Sequence, residues 1–373
     1  MVKRLLILMV LVSEVMILTG EVVLGGMKSH VLEQPKVEVV FCLDTTGSMS
    51  GLIEGAKQKI WAIANQIVKG KPTPKLSIGL VGYRDRGDEY ITKVYPLTND
   101  LDAVFENLMS FQAGGGGDTP EHVNRALYDA VHRIKWSNNP MTFKLIFLVG
   151  DCPPHMDYQD GYDYRKSCED AVKQGIIINT VQCGNYAETV KFWQEIAALG
   201  EGEYTRIEQS GGMRVIETPF DKELAKLNSR LEGTIVAFGS IKEREKAGAR
   251  LDAVRRMAST IAAERAAYKC AEEKMSAYDL IDALRNNRVK LEEIEDEKLP
   301  DEMRKMSLQE RKDYLAEKEK ERRELKVRID ELSQKRAAYI SAKLKENPDE
   351  DAFDRVVQKL IAKQAERKGI VYH

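Results

Sequence analysis

Three short segments of this chain carry oxygen donors of the kind that hold a hard divalent cation. The first is Asp44-Thr45-Thr46-Gly47-Ser48, the second is Gly117-Asp118-Thr119-Pro120-Glu121, and the third is Gly150-Asp151. Mg²⁺ and Mn²⁺ want about six oxygens in an octahedron. The hydroxyls of Thr46, Ser48 and Thr119 would be neutral ligands. Asp44 and Asp151 would supply charge, directly or through water. With so few carboxylates the ion stays electron-poor and keeps a position open, and a carboxylate from another molecule would suit it. Alone, the first segment says little, because Asp, Ser and Thr after a strand commonly cap the next helix. The weight lies in three loops that must share one edge of a sheet.

The elements between them predict that edge. Val37–Leu43 is a short β-branched apolar run, read as a buried strand, and Leu52–Val68 has helical spacing. Residues 76–83 and 90–97 read as two strands joined closely enough to form an antiparallel hairpin. Helices are predicted at 101–109 and from Pro120 to about 134, with the Gly114–Gly117 run as a flexible loop before Pro120. Strands follow at 143–149, 176–181 and 203–207, with helices near 167–173 and 187–199 between them. Apolar strands alternating with amphipathic helices predict an α/β fold: a doubly wound, mostly parallel six-stranded sheet of Rossmann-like kind. Such sheets bind ligands beyond the carboxyl ends of the strands, where strand order reverses. All three oxygen-bearing loops fall there.

Here the sequence resembles the von Willebrand factor A (VWA) family. Asp44-Thr45-Thr46-Gly47-Ser48 matches the D-x-[ST]-x-S pattern of that family's metal-ion-dependent adhesion site, with Thr46 where Ser is more usual. Thr119 and Asp151 match its second and third loops. The likeness runs over residues 36–210, and the domain is placed at 36–230. Gly82–Tyr90 and the Gly-Gly-Asp-Thr-Pro-Glu segment resemble a subgroup of VWA proteins found in bacteria and beside some atypical kinases. The resemblance implies a non-catalytic adhesion or assembly module that coordinates a partner's Asp or Glu through Mg²⁺ or Mn²⁺. Asp118, Glu121, His122 and His155 would form the rim, although either histidine is more ordinarily a helix-surface or loop residue. The resemblance also implies that ligand binding could couple to movement of the last helix.

Other features bound the reading. The 57 basic residues nearly balance 59 acidic ones and alternate with them, so no basic surface for nucleic acid emerges. No phosphate-binding loop, zinc-protease or serine-hydrolase motif is present. A metal-assisted hydrolase would need His155 as its base, and a metal-free helical scaffold is the third reading. Arg86-Gly87-Asp88 is an RGD tripeptide that turn chemistry also explains. Asp157, Asp160 and Asp163 read as a solvated rim. Cys42, Cys152, Cys168, Cys183 and Cys270 lack zinc-site spacing, and one disulfide among the middle three is open if the chain is exported.

Residues 1–26, with Lys3-Arg4 before an apolar run, read as a signal peptide or N-terminal membrane anchor. Export to the periplasm, cell envelope or exterior is therefore expected, with membrane contact only through that segment if uncleaved. Residues 239–373 read as a charged α-helical extension. Ser307 and Glu310 form a capping box, and a helix runs from there to about 345. A final helix spans Asp351–Arg367, ended by Gly369. Leu308, Leu315, Leu325, Ile329, Leu332 and Tyr339 fall at heptad positions, with Arg311, Lys318, Arg322, Arg336 and Lys343 in the other core slots. That pattern predicts a hairpin or stalk with solvated charged faces, with homo-oligomerisation through a partial coiled coil as the alternative.

Overall fold

The computed structural model describes residues 34–272, 274–346 and 352–372. The N-terminal segment, Asn347-Pro348 and Asp351 lie outside them. Strand β1 (Lys36–Asp44) is followed by helix α1 (Ser50–Ile67), then by β2 (Lys75–Tyr83) and β3 (Thr92–Thr98). Next come α2 (Leu101–Met109), α3 (Val123–His132), β4 (Phe143–Gly150), α4 (Tyr164–Lys173), β5 (Ile176–Cys183), α5 (Ala187–Leu199) and β6 (Glu201–Ile207). The sheet order is β3-β2-β1-β4-β5-β6, with only β3 antiparallel. Strand order reverses between β1 and β4. Their register, Leu43 beside Val149, sets Asp44 and Gly150 side by side at the carboxyl edge.

The strands are apolar throughout because both faces are covered. On one face Phe41, Leu43, Phe147 and Val149 pack under α1 and α2. On the other, Val40, Cys42, Ile146 and Leu148 pack under α3, α4 and α5. At the β5–β6 edge the backbones close tightly. A Cβ built on Gly202 would lie 2.0 Å from the Ile178 carbonyl oxygen. Gly202→Ala should therefore cost about 1–3 kcal/mol, the usual penalty of overpacking, read as a lowered midpoint in denaturant.

Two expectations need correction here. The third helix begins at Val123 rather than Pro120. Glu121 is held extended by a parallel bridge to Pro154, and its N–H donates to the Pro153 carbonyl at 3.0 Å. His122 caps the helix instead, its ring Nδ1 accepting from the Arg125 N–H. All five cysteines are free thiols, and Cys42, Cys152, Cys168 and Cys183 are buried.

The remaining helices are α6 (Asp221–Glu232), α7 (Ile241–Arg255), α8 (Ser259–Ala271), α9 (Leu280–Arg285), α10 (Leu308–Glu346) and α11 (Phe353–Ala365). Ser307 and Glu310 make the reciprocal cap at the start of α10. Gly369 adopts the left-handed conformation after α11. A projecting, solvated stalk is not what forms. The described residues belong to one compact unit. Helix α11 lies in the sheet's own core: Phe353, Val357 and Ile361 are buried with Phe41 and Leu43. A reciprocal amide pair, Asn179 with Gln364 at 3.0 and 2.8 Å, fastens α11 to β5 within that core.

Helices α6, α8 and α10 form a further layer, with Leu224, Ala266, Leu325, Ile329 and Leu332 at its centre. The heptad positions Leu325, Ile329 and Leu332 thus face inward, and Leu315 is buried in a separate cluster with Val236, Leu280 and Leu299, whereas Leu308 and Tyr339 are exposed. Arg322 and Arg336, read as solvated interruptions, are buried. Arg322 pairs with Asp279 at 2.7 Å, and Arg336 with Asp221 at 2.6 Å and Glu264 at 2.5 Å. Among the described residues no helix is long and apolar enough to cross a membrane.

Candidate metal centre

Strand β1 delivers Asp44 and Thr46 to the crevice. Asp44 is buried, and its Oδ1 accepts from the Thr46 N–H at 2.9 Å and the Thr46 hydroxyl at 2.6 Å. The Ser48 hydroxyl lies 3.3 Å from that of Thr46. Strand β4 delivers Asp151, whose carboxyl faces Asp44. This close approach requires Gly150: a Cβ there would lie 3.0 Å from Asp44 Cβ and 2.4 Å from the Tyr83 hydroxyl. Burial, then the charge of Asp151, pushes the Asp44 carboxyl up to about 7. Asp44 Oδ2 and Asp151 Oδ1 are buried with no hydrogen-bond partner. Two unpartnered carboxylate oxygens facing one crevice is costly unless a cation or protons enter it.

The glycine run is not a slack loop. Gly114 N–H donates to the Thr45 carbonyl at 3.1 Å, and the Gly115 carbonyl accepts from the Gly47 N–H at 3.3 Å. Gly116 N–H meets the Asp88 carboxylate at 3.2 Å. Gly115 and Gly116 both have positive φ, and a Cβ on Gly115 would strike Asp88. Glycine is needed for the backbone to seat against the first loop.

The same run carries Asp118 and Thr119 to the rim, where both are exposed. Among the described residues no hydrogen bond joins the Thr119 hydroxyl to Asp44, Thr46, Ser48 or Asp151. Glu121 is buried beside Gly116, and its Oε2 has no partner. Burial, then Asp44 and Asp85, pushes its carboxyl up to about 9.

The two histidines are buried, not surface residues, and they differ. His122 accepts at Nδ1 as the helix cap, so its Nε2–H donates to Asp160 at 2.9 Å. Burial holds its basicity down. It is a structural group. His155 stacks on Tyr158 at 4.0 Å with Nδ1 on Asp157 at 2.8 Å and Nε2 facing Asp85 at 3.2 Å. The RGD tripeptide is turned to internal work. Arg86 pairs with Asp160 over the Tyr158 ring, and Asp88 accepts from Gly116 and Asp85. Asp160 is likewise spent on these pairs.

Sequence reasoning assigned no role to three groups here. Gln209, two residues past β6, donates to Asp151 Oδ2 at 2.7 Å and to the Ser48 carbonyl at 3.3 Å. Arg84 buttresses the first loop through the Thr45 carbonyl at 3.1 Å and the Gln112 carbonyl at 2.7 Å. Asp85 faces His155. Each follows the carboxyl end of a strand, which was the signal available.

This geometry, an Asp-x-Thr-x-Ser turn after β1 facing an Asp after β4 across a doubly wound sheet, agrees with the comparison to known proteins. A family model described as von Willebrand factor A domain matches residues 38–219. The chain carries a VWA domain. An ariadne-like RING finger protein of Acanthamoeba polyphaga mimivirus is 22% identical over 201 residues, which are 50% of this chain and 20% of that protein. The chain thus spans about a fifth of the curated relative it matches. Among solved structures, BatB from Bacteroides thetaiotaomicron is similar at 16% identity, with 47% of this chain and 90% of that chain covered and a TM-score of 0.34. Proximal thread matrix protein 1 from the mussel byssus, with a zinc-occupied MIDAS motif, is similar at 15% identity, with 46% and 42% covered and a TM-score of 0.35. In this chain α6 to α10 intervene between β6 and α11, the helix that completes the core on one face of the sheet.

Proposed function

We propose that this VWA domain is a cation-dependent protein-binding module without catalytic activity. In this reading Asp44, Thr46, Ser48, Thr119 and Asp151 hold Mg²⁺ or Mn²⁺, and a partner's Asp or Glu completes the coordination. The observation that carries it is the pair of buried, unpartnered oxygens, Asp44 Oδ2 and Asp151 Oδ1, at the β1–β4 crevice. The donor set fits a hard ion: carboxylate and hydroxyl oxygens with no sulfur. The ion would supply positive charge to which a partner carboxylate binds. The chain's own residues do the rest. Gly150 permits the approach of the two aspartates, Arg84 and the glycine run fix the first loop, and Gln209 covers the outer oxygen of Asp151. Thr119 enters by its place in the family pattern.

Consistent with the apolar segment at residues 1–26, we place the protein outside the cytoplasm, in the periplasm, the cell envelope or the exterior. The partner is a protein, not nucleic acid, since the charges are balanced. Panning a random peptide library on the full chain tests the reading. With Mg²⁺ present, retained peptides should be enriched in Asp and Glu, and retention should vanish in chelator or with Asp151→Ala. Equal retention in chelator would overturn it.

A further inference from the structure

We propose a second cation site beside the first, formed by Asp85, Asp118 and His155, that takes a borderline ion of the Zn²⁺ type. One ligand atom from each of the three side chains lies within 4.8 Å of the other two. They come from three loops: Asp85 just past β2, Asp118 on the glycine run, and His155 beyond β4. None belongs to the Asp44–Asp151 set.

The independent sign of a ligand is at the buried groups. Asp85 Oδ1 is buried with no hydrogen-bond partner, and the buried His155 Nε2 makes no hydrogen bond and faces only Asp85 Oδ2, a member of the same cluster, at 3.2 Å; side-chain exposure is 7% for His155 and 6% for Asp85. Each has its other atom spoken for. His155 Nδ1 meets Asp157 at 2.8 Å, and Asp85 Oδ2 accepts from the Tyr158 hydroxyl at 2.7 Å. With Nδ1 on Asp157, the ring turns Nε2 away from that carboxylate and toward Asp85. This is the arrangement that orients and strengthens an imidazole ligand. The stacked Tyr158 ring fixes the imidazole plane. The backbone does the same for position, since the His155 N–H donates to the Glu121 carbonyl at 3.1 Å.

One imidazole nitrogen and two carboxylates, with room for water, is a donor set that zinc accepts. The nitrogen separates it from the all-oxygen first site. Asp118, the exposed member, would close the site from solvent.

The test is a calorimetric titration of Zn²⁺ into the full chain carrying Asp151→Asn, so that the first site is disabled. One Zn²⁺ per chain should bind. Adding Asp118→Asn, an exposed change that leaves packing alone, or His155→Gln should abolish measurable binding. Asp157→Asn, which touches no ion, should weaken it about tenfold. No Zn²⁺ bound by Asp151→Asn, or equal binding after Asp118→Asn and His155→Gln, overturns the proposal. The proposed function stands or falls separately, on whether Mg²⁺ binding to a chain with His155→Gln survives and is lost with Asp151→Ala.

Discussion

Phe353→Ala should destabilise the whole VWA domain by about 3–5 kcal/mol, the range for removing a buried aromatic ring. Phe353 is buried with its ring centroid 6.0 Å from that of Phe41 in the first strand. Its N–H donates to the Gly211 carbonyl at 2.9 Å, in the loop that also carries Gln209. Residues more than 300 apart in sequence thus share one core. Denaturant unfolding followed by far-UV circular dichroism and by tryptophan fluorescence should show one transition, moved to lower denaturant in both signals. Trp61 and Trp193 are buried on opposite faces of the sheet and report on it directly. A variant that lost helical signal early while the tryptophan transition stayed in place would mean that the C-terminal helices fold as a separate body.

Arg265→Leu should cost a similar amount, about 3–5 kcal/mol, because it strands buried carboxylates. Arg265 is fully buried under Trp61. It holds Asp102 at 2.6 Å, Glu232 at 2.6 Å and the Asn228 side-chain oxygen at 2.9 Å. Burial alone would raise the Asp102 carboxyl. Arg265, Lys269 and Arg250 outweigh it and hold that group well below the usual carboxylate range. A depressed carboxyl stabilises the fold above its unfolded value near 3.8, and that contribution is lost as pH falls through the folded value. The gap in stability between wild type and Arg265→Leu should therefore be widest above about pH 4 and narrow on acidification. A gap independent of pH would show that the loss comes from packing rather than from charge.

These two results bear on how far the sequence could be read. The strand–helix alternation and the three oxygen-bearing loops were legible because they rest on local signals: hydrophobic period, turn residues and the ends of apolar runs. Arg322 and Arg336 were not. An arginine in a core slot of a long helix reads as an interruption, since lone charges stay in water. Their partners Asp279, Asp221 and Glu264 are distant in sequence, so nothing local marks them as paired. The position of α11 was hidden for the same reason. Its amphipathic stripe announces a buried face but not which surface buries it.

At the site, four glycines in a row signify slack by composition. Only the structure shows that Gly115 and Gly116 lie against Asp88 and Thr46, where a side chain would not fit. Gln209 was invisible for a simpler reason. A glutamine after the last strand has no chemistry of its own until it is found on Asp151.

The most direct test of the central claim is a calorimetric titration of Mg²⁺ into the full chain, with Asp44→Ala and Asp151→Ala beside it. One Mg²⁺ per chain should bind to the wild type, more tightly at pH 8 than at pH 6 because the ion must displace protons from its ligands. Neither variant should bind it. Mg²⁺ binding that survives both substitutions, or a wild type that binds none even with an acidic peptide present, would contradict a cation-dependent site at Asp44 and Asp151.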